Sequence, residues 1–142
     1  MKNNCIFCKI VDGELPSNKI YEDDCFYVML DKFPQQLGHT LILPKRHAVQ
    51  VFDLNEGEAR RLISLTQKIG VALREVVGFS GLKLVQNNGA DAGQEVFHFH
   101  LHLIPMYEQE KSAKADFPEL AEKIAKALAG SLEFAEKTAE AL

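Results

Sequence analysis

Positive charge is in short supply along this chain. Sixteen Lys and Arg stand against twenty Asp and Glu, a formal net charge of −4 with a pI near 5.7. Nucleic acids and anionic membranes are usually met by a basic surface, so neither is an expected partner. Long apolar runs are missing as well. None approaches the ~18 residues of a membrane span, and Met1-Lys2-Asn3-Asn4-Cys5 lacks the apolar centre of a signal peptide. The expected location is therefore cytoplasmic. Cysteine is scarce, with three in all. In a reducing compartment Cys5 and Cys8 are a metal or redox pair before they are a disulfide, and Cys25 reads as a core thiol. Internal repeats, low-complexity tracts and linkers are absent too. The 142 residues, 46% apolar and 25% charged, read as one domain spanning 1–142 with a real core.

Punctuation and periodicity divide the chain. Cys5 to Val11 predicts a short helical turn ended by Asp12-Gly13. Lys19 to Tyr21 and Phe26 to Leu30 predict strands around a turn at Glu22-Asp23-Asp24, and Thr40 to Leu43 a third strand between Gly38 and Pro44. Leu62, Leu65, Ile69, Leu73, Val76 and Val77 recur at helical spacing. Asn55 suits the N-cap of that helix, Glu56 and Glu58 suit its first turn, and Gly78 suits its stop. Leu82 to Gln86 predicts a fourth strand and Phe97 to Ile104 a fifth. Between them, Asn87 to Gly93 is turn chemistry able to offer backbone N–H groups to an anion. Pro118 fits the first turn of a last helix, to about Leu128 or beyond, striped by Leu120, Ile124 and Leu128. Antiparallel strands with one central and one terminal helix make an α+β fold.

The chemistry concentrates in His98-Phe99-His100-Leu101-His102-Leu103-Ile104. In an extended strand, residues two apart share a face at roughly 6.5–7 Å. Three imidazoles therefore share one face, while Phe99, Leu101 and Leu103 share the other. A solvated face more commonly carries Lys, Thr or Glu. Two functional readings stay open on the residues alone. His-x-His with a third ligand can hold a catalytic zinc. Alternatively, an imidazole with one nitrogen held by an acceptor is a nucleophile toward phosphorus, and a neighbouring imidazole can donate to the phosphate oxygens. Cys5-Ile6-Phe7-Cys8 is a weak signal alone and a stronger one beside spare histidines, because two cysteines and two histidines form a common closed zinc set. His39 and His47 flank the third strand. The five histidines thus divide into a metal group and a reaction group.

Cys5-Ile6-Phe7-Cys8-Lys9-Ile10, Gly38-His39-Thr40-Leu41, Pro44-Lys45-Arg46-His47, Asn88-Gly89 and Gly93-Gln94-Glu95-Val96-Phe97-His98, with the histidine row itself, resemble the histidine triad family. The resemblance is to its nucleotide-binding branch with an N-terminal zinc-binding cysteine pair. It covers about residues 5–105 and leaves about 108–142 as a helical extension without a matching motif. The resemblance implies a five-stranded antiparallel sheet with two main helices, continued across a homodimer. It implies hydrolysis at the α-phosphate of a purine nucleotide, most simply a nucleoside phosphoramidate, through a nucleotidyl-histidine intermediate. His100 would be the nucleophile, His102 would contact the phosphate, and His39 would stand behind it. Asp31 would hold the ribose, with Phe7, Ile10 and Phe26 near the base. Asn87, Gly93, Gln94, Glu95 and Val96 would surround the phosphate. Cys5, Cys8, His47 and His98 would hold a structural zinc. Two residues depart from the pattern. Glu95 stands where some relatives carry serine, and Met106 where many carry arginine. Dinucleoside polyphosphate hydrolysis, a metallohydrolase using the row as ligands, and a zinc-held nucleotide-binding module without turnover are the rival readings.

Overall fold

The computed structural model describes residues 4–141, with side chains through residue 132. The expected domain ends at residues 1 and 142 lie outside them. Five strands form one antiparallel sheet: β1 (Lys19–Glu22), β2 (Phe26–Leu30), β3 (Thr40–Pro44), β4 (Gly81–Val85) and β5 (Leu101–Met106). Their spatial order is β1-β2-β3-β5-β4. Three helices accompany them: α1 (Ile6–Val11), α2 (Glu56–Val77) and α3 (Phe117–Ala141). The expected α+β fold with two long helices is the one observed. Among the described residues, no helix is long and apolar enough to cross a membrane.

Strand alternation sorts the core into two clusters. Phe26, Val28 and Leu30 of β2 join Leu101 and Leu103 of β5 under α2 and α3, through Leu62, Leu65, Ile69, Leu73, Ile124 and Leu128. Tyr27 and Met29 turn the other way and pack with Leu41, Leu43, Cys5, Phe7 and Cys8. Every residue of β2 is buried, because helices cover one face and the N-terminal segment with α1 covers the other. The histidines belong to the second face.

Local chemistry sets the boundaries. Asp23 Oδ1 accepts from the N–H groups of Cys25 and Phe26, both at 2.8 Å, and closes the β1–β2 turn. Asn55 caps α2: its side chain accepts from the Glu58 N–H at 2.8 Å, and the Glu58 carboxylate accepts in return from the Asn55 N–H at 2.8 Å. Gly78 ends α2 in the left-handed region at φ 68°. Gly38 has φ +85°, and a Cβ there would lie 3.2 Å from Leu73 Cδ1. Only glycine lets the chain pass that close to α2 just before His39.

Several expected strand boundaries move by a residue or two, and the start of the fifth moves furthest. The fifth strand begins at Leu101, not Phe97. The β3–β5 ladder runs through Thr40–Leu103, Leu41–His102 and Ile42–Leu101. The next rung would need an N–H from Pro44, which proline lacks. The Pro44 carbonyl is instead taken by the His98 side chain, at 2.8 Å, and the Phe99 N–H donates to Ala48 O at 2.6 Å. Residues 97–100 keep their alternation without forming a ladder.

Arg46 reaches back from the loop after β3 to the Glu58 carboxylate, with Nη2 at 2.8 Å and Nε at 3.2 Å. Burial pushes the Glu58 pKa up, but the Arg46 bonds and the Asn55 N–H outweigh it and hold the carboxyl below its ordinary value. Glu58 thus joins a helix cap to the loop that carries His47. Replacing Glu58 with Ala is expected to cost about 2 kcal/mol, and Asn55→Ala about 1 kcal/mol. Both should appear as lowered urea midpoints at unchanged slope.

Candidate active site

Two groups of side chains meet on the sheet face covered by α1. The first is Cys5, Cys8, His47 and His98, whose ligand atoms all lie within 4.8 Å of one another. Cys5 is the N-cap of α1, where its sulfur accepts from the Cys8 N–H at 3.4 Å. The helix turn therefore presents both sulfurs together. His98 Nδ1 lies 3.4 Å from Cys5 Sγ, 3.5 Å from Cys8 Sγ and 3.3 Å from His47 Nδ1. Cys8 Sγ to His47 Nδ1 is 3.2 Å. Zinc–sulfur and zinc–nitrogen bonds of about 2.3 and 2.0–2.1 Å at tetrahedral angles give nitrogen–nitrogen and sulfur–nitrogen edges of about 3.3–3.6 Å. The donor set and spacing therefore fit a zinc site. The His98 Nε2–H donates to Pro44 O, which leaves Nδ1 with its lone pair toward the cluster. Burial, reinforced by neighbouring His47 and His100, holds the His98 pKa at about 4 despite the Pro44 bond. The ring is neutral, as a ligand must be.

The second group is His39, His100, His102 and Asp31, and its hydrogen bonds determine where each proton sits. The Gln35 N–H donates to His39 Nδ1 at 3.0 Å. His39 therefore carries its proton on Nε2 and donates it to His102 Nδ1 at 2.9 Å. His102 in turn carries its proton on Nε2. Asp31 Oδ2 lies 3.4 Å from His39 Nε2, while Asp31 Oδ1 accepts from the Phe33 N–H at 2.8 Å. His100 is the opposite tautomer. Its Nδ1–H donates to the His98 carbonyl at 2.7 Å, which leaves Nε2 as a bare lone pair. The His100 and His102 rings stand 4.9 Å apart, edge to face. Burial lowers the pKa of His100, opposed by its bond to His98 and by Asp31. Burial, then His100 and His39, brings His102 to about 4. His39 is lowered by burial ahead of the opposing pull of Asp31. The result is one unprotonated nitrogen beside one N–H donor, both on neutral rings.

The other expected residues divide. The Phe7 ring meets His100 edge-on at 5.0 Å and His98 at 5.9 Å, and Ile10 packs on the same cluster. Phe26 is a correction. It is fully buried in the opposite cluster and lines a cleft with Tyr21, Arg61 and Leu128 on the helix side. Alternation along β2 puts Tyr27 and Met29 on the site face instead, a signal the sequence held. Asn87 donates to Gly93 O at 3.5 Å, and Gly93 takes φ 95°. The Gln94 side chain faces inward. Its Oε1 accepts from the Gly89 N–H at 2.7 Å, and its Nε2 donates to Val49 O at 2.8 Å and Val96 O at 3.2 Å. It clamps the 87–96 loop. Glu95 lies exposed beside Val96, in a cleft with Ile6, His47 and Phe97. The sequence reading missed the Gln35 N–H and the Pro44 and His98 carbonyls, which set the tautomers. Backbone groups leave no residue-type signal.

Residues 12–109 match the HIT domain family, and the chain belongs to that family. It is 35% identical to a zinc-bound histidine triad family protein of Mycobacterium smegmatis, with a TM-score of 0.84 over 95% of this chain and 99% of that one. It resembles a hypothetical histidine triad nucleotide-binding protein of Sulfolobus tokodaii at 32% identity, with a TM-score of 0.82 over 89% of this chain and 93% of that one. Adenylylsulfatase HINT3 of Arabidopsis thaliana is 39% identical over 110 residues, 78% of this chain and 56% of that longer protein.

His39 and His102 bind protons more weakly folded than unfolded. Their contribution to stability is complete above the ordinary histidine pKa of about 6.5. It is lost as pH falls from there toward about 4, the folded value of His102. His102 costs up to ~1.4 kcal/mol per pH unit inside that window, and His39 adds a loss in the same direction. Urea unfolding between pH 7.5 and 4.5 should show stability falling with pH. The slope should be shallower in His102→Gln, and equal slopes would contradict the buried neutral pair.

Proposed function

We propose that this chain hydrolyses the bond between the α-phosphate of a purine nucleotide and its leaving group, with a nucleoside phosphoramidate as the preferred substrate. The observation that carries the reading is the tautomer pattern: His100 Nε2 without a proton, beside a ring whose Nε2 has one. His100 Nε2 attacks phosphorus in line, the new N–P bond replaces the bond to the amine, and the amine departs after taking a proton from solvent water. Water then attacks the nucleotidyl-histidine, the N–P bond breaks, and the nucleoside monophosphate leaves. The Nε2–H of His102 donates to the phosphoryl oxygens. His39 fixes His102, Asp31 receives the ribose hydroxyls, and Phe7 and Ile10 flank the base. Asn87, Gly93, Glu95 and Val96 face the phosphate and leaving group from the loop that Gln94 clamps.

Cys5, Cys8, His47 and His98 would hold a zinc ion. Bound there, the ion is a structural cross-link, because four protein ligands leave no position for an activated water. One zinc per chain is expected by elemental analysis, and Cys8→Ser should remove it. The zinc-bound relative supports this assignment. The protein is further read as one cytoplasmic domain, 1–142, that pairs through the exposed edge of β4, where Leu84 is half exposed. A second copy would extend the sheet there.

The test follows AMP release from adenosine 5′-phosphoramidate, adenylyl sulfate and a diadenosine polyphosphate. The phosphoramidate should turn over fastest, and His100→Ala should lower kcat/KM by roughly 10⁴-fold while nucleotide still binds. Near-normal turnover in the variant would remove His100 as nucleophile. The name of the Arabidopsis relative favours one second reading, adenylyl sulfate as substrate, which a reversed order of rates would support.

A further inference from the structure

We infer that the Cys5–Cys8–His47–His98 clamp positions the nucleophile: by fixing the His98–Phe99 peptide, it keeps the His100 proton on Nδ1. The inference rests on the reading of His100 as the attacking residue.

The two groups of side chains are joined through the backbone by one peptide unit, with the Phe7 ring packed edge-on against His98 and His100. The carbonyl of His98 and the N–H of Phe99 belong to one plane and point in opposite directions. On one side the His98 carbonyl accepts the His100 Nδ1–H at 2.7 Å. On the other the Phe99 N–H donates to Ala48 O at 2.6 Å. Ala48 directly follows His47, and the peptide directly follows the His98 ring. The contact between the two rings, Nδ1 to Nδ1 at 3.3 Å, therefore fastens segment 47–48 to segment 98–99 beside the Phe99–Ala48 bond. The hydrogen bonds run in series from Ala48 O through the peptide to His100, so each strengthens the next.

The sheet does not supply this fastening, and Gln94, which bonds Val49 O and Val96 O, holds only the flanking residues. The β3–β5 ladder stops at Ile42–Leu101, two residues short of Phe99. Pro44 has no N–H to continue it. The Pro44 carbonyl holds the His98 ring, not its backbone. An imidazole in water exchanges its proton between the two nitrogens and somewhat prefers Nε2–H, the form in which His100 could not attack through Nε2. The His98 carbonyl opposes that preference only while it points at the ring. Cys5, Cys8, His47, His98 and the Ala48 carbonyl are thus positioning groups for His100, although they do not touch the reacting atoms.

The test reads proton position. Protein labelled with ¹⁵N-histidine is compared in its zinc form and after exchange for cadmium, whose longer bonds spread His47 and His98 while the fold stays intact by circular dichroism. In the zinc form the His100 proton should sit on Nδ1. In the cadmium form the Nε2–H population of His100 should rise severalfold, and the Phe99 amide should exchange severalfold faster. The protons of His39 and His102, and the Leu103 amide, should keep their zinc-form values. Unchanged His100 tautomer and Phe99 exchange, with shifted His47 and His98 signals, would overturn the proposal. His100→Ala with near-normal turnover would instead sink the functional reading and leave the tautomer comparison to decide the clamp.

Discussion

One peptide group, between His98 and Phe99, carries most of the order in this site. Three independent constraints act on it or beside it. The His98 ring is held at Nε2 by Pro44 O and at Nδ1 by two sulfurs and a second imidazole. The Phe99 N–H is held by Ala48. A short polar segment that leaves a sheet ladder would ordinarily be among the softest parts of a fold. Here the side chains replace the missing rungs. The backbone is held by side-chain and carbonyl contacts where β-pairing is ruled out by a proline, and the freed His98 carbonyl becomes the group that orients His100.

Both sides of the sheet contribute to this rigidity. The helical side buries Phe99, Leu101 and Leu103 against α2 and α3, so the histidine segment cannot roll. The opposite side is thinner. It relies on α1, which is six residues long, and on Phe7, Tyr27, Met29, Leu41 and Leu43. A helix that short has little stability of its own. The Cys5 and Cys8 sulfurs in its first turn add contacts to His47 and His98 beyond that small core. The Arg46–Glu58 contact plays the corresponding part on the loop side, anchoring the residue next to His47 to the cap of α2.

What the sequence disclosed follows from the physics of each feature. The helix α2 was legible to its caps, because Asn55, Glu58 and Gly78 act within a few residues of where they stand. The two-residue spacing of the histidines correctly predicted a shared face opposite Phe99, Leu101 and Leu103. The same alternation, followed along β2, would have placed Phe26 with the helices and Tyr27 with the site. Ladder termination was not legible, because it depends on Pro44 meeting Phe99 across a register set by the whole β3–β5 pair. Neither were the proton positions. They come from the Gln35 N–H and the His98 carbonyl, groups present in nearly every residue and made specific only by folding. Sorting Cys5, Cys8, His47 and His98 from His39, His100 and His102 needed the family resemblance, and the cluster distances then gave it a geometric basis.

Charge explains why the row consists of buried imidazoles and not of lysines or arginines. On the proposed function, the attacking ring needs a lone pair at neutral pH, and the ring that meets the phosphoryl oxygens needs an N–H. A cationic neighbour would satisfy the second need but would lower the basicity of the first through a low-dielectric gap. Burial meets both. It holds His98 and His102 near pKa 4 and lowers His39 and His100 as well, so every ring stays neutral and each keeps one lone pair and one N–H. With charge removed, orientation alone distinguishes acceptor from donor. Orientation here is inherited from backbone groups: Gln35 makes His39 and then His102 donors toward the site, and His98 makes His100 the acceptor. Two hydrogen-bond chains of opposite sense converge on neighbouring rings, and the pairing of a bare nitrogen with an N–H donor is the consequence of their directions.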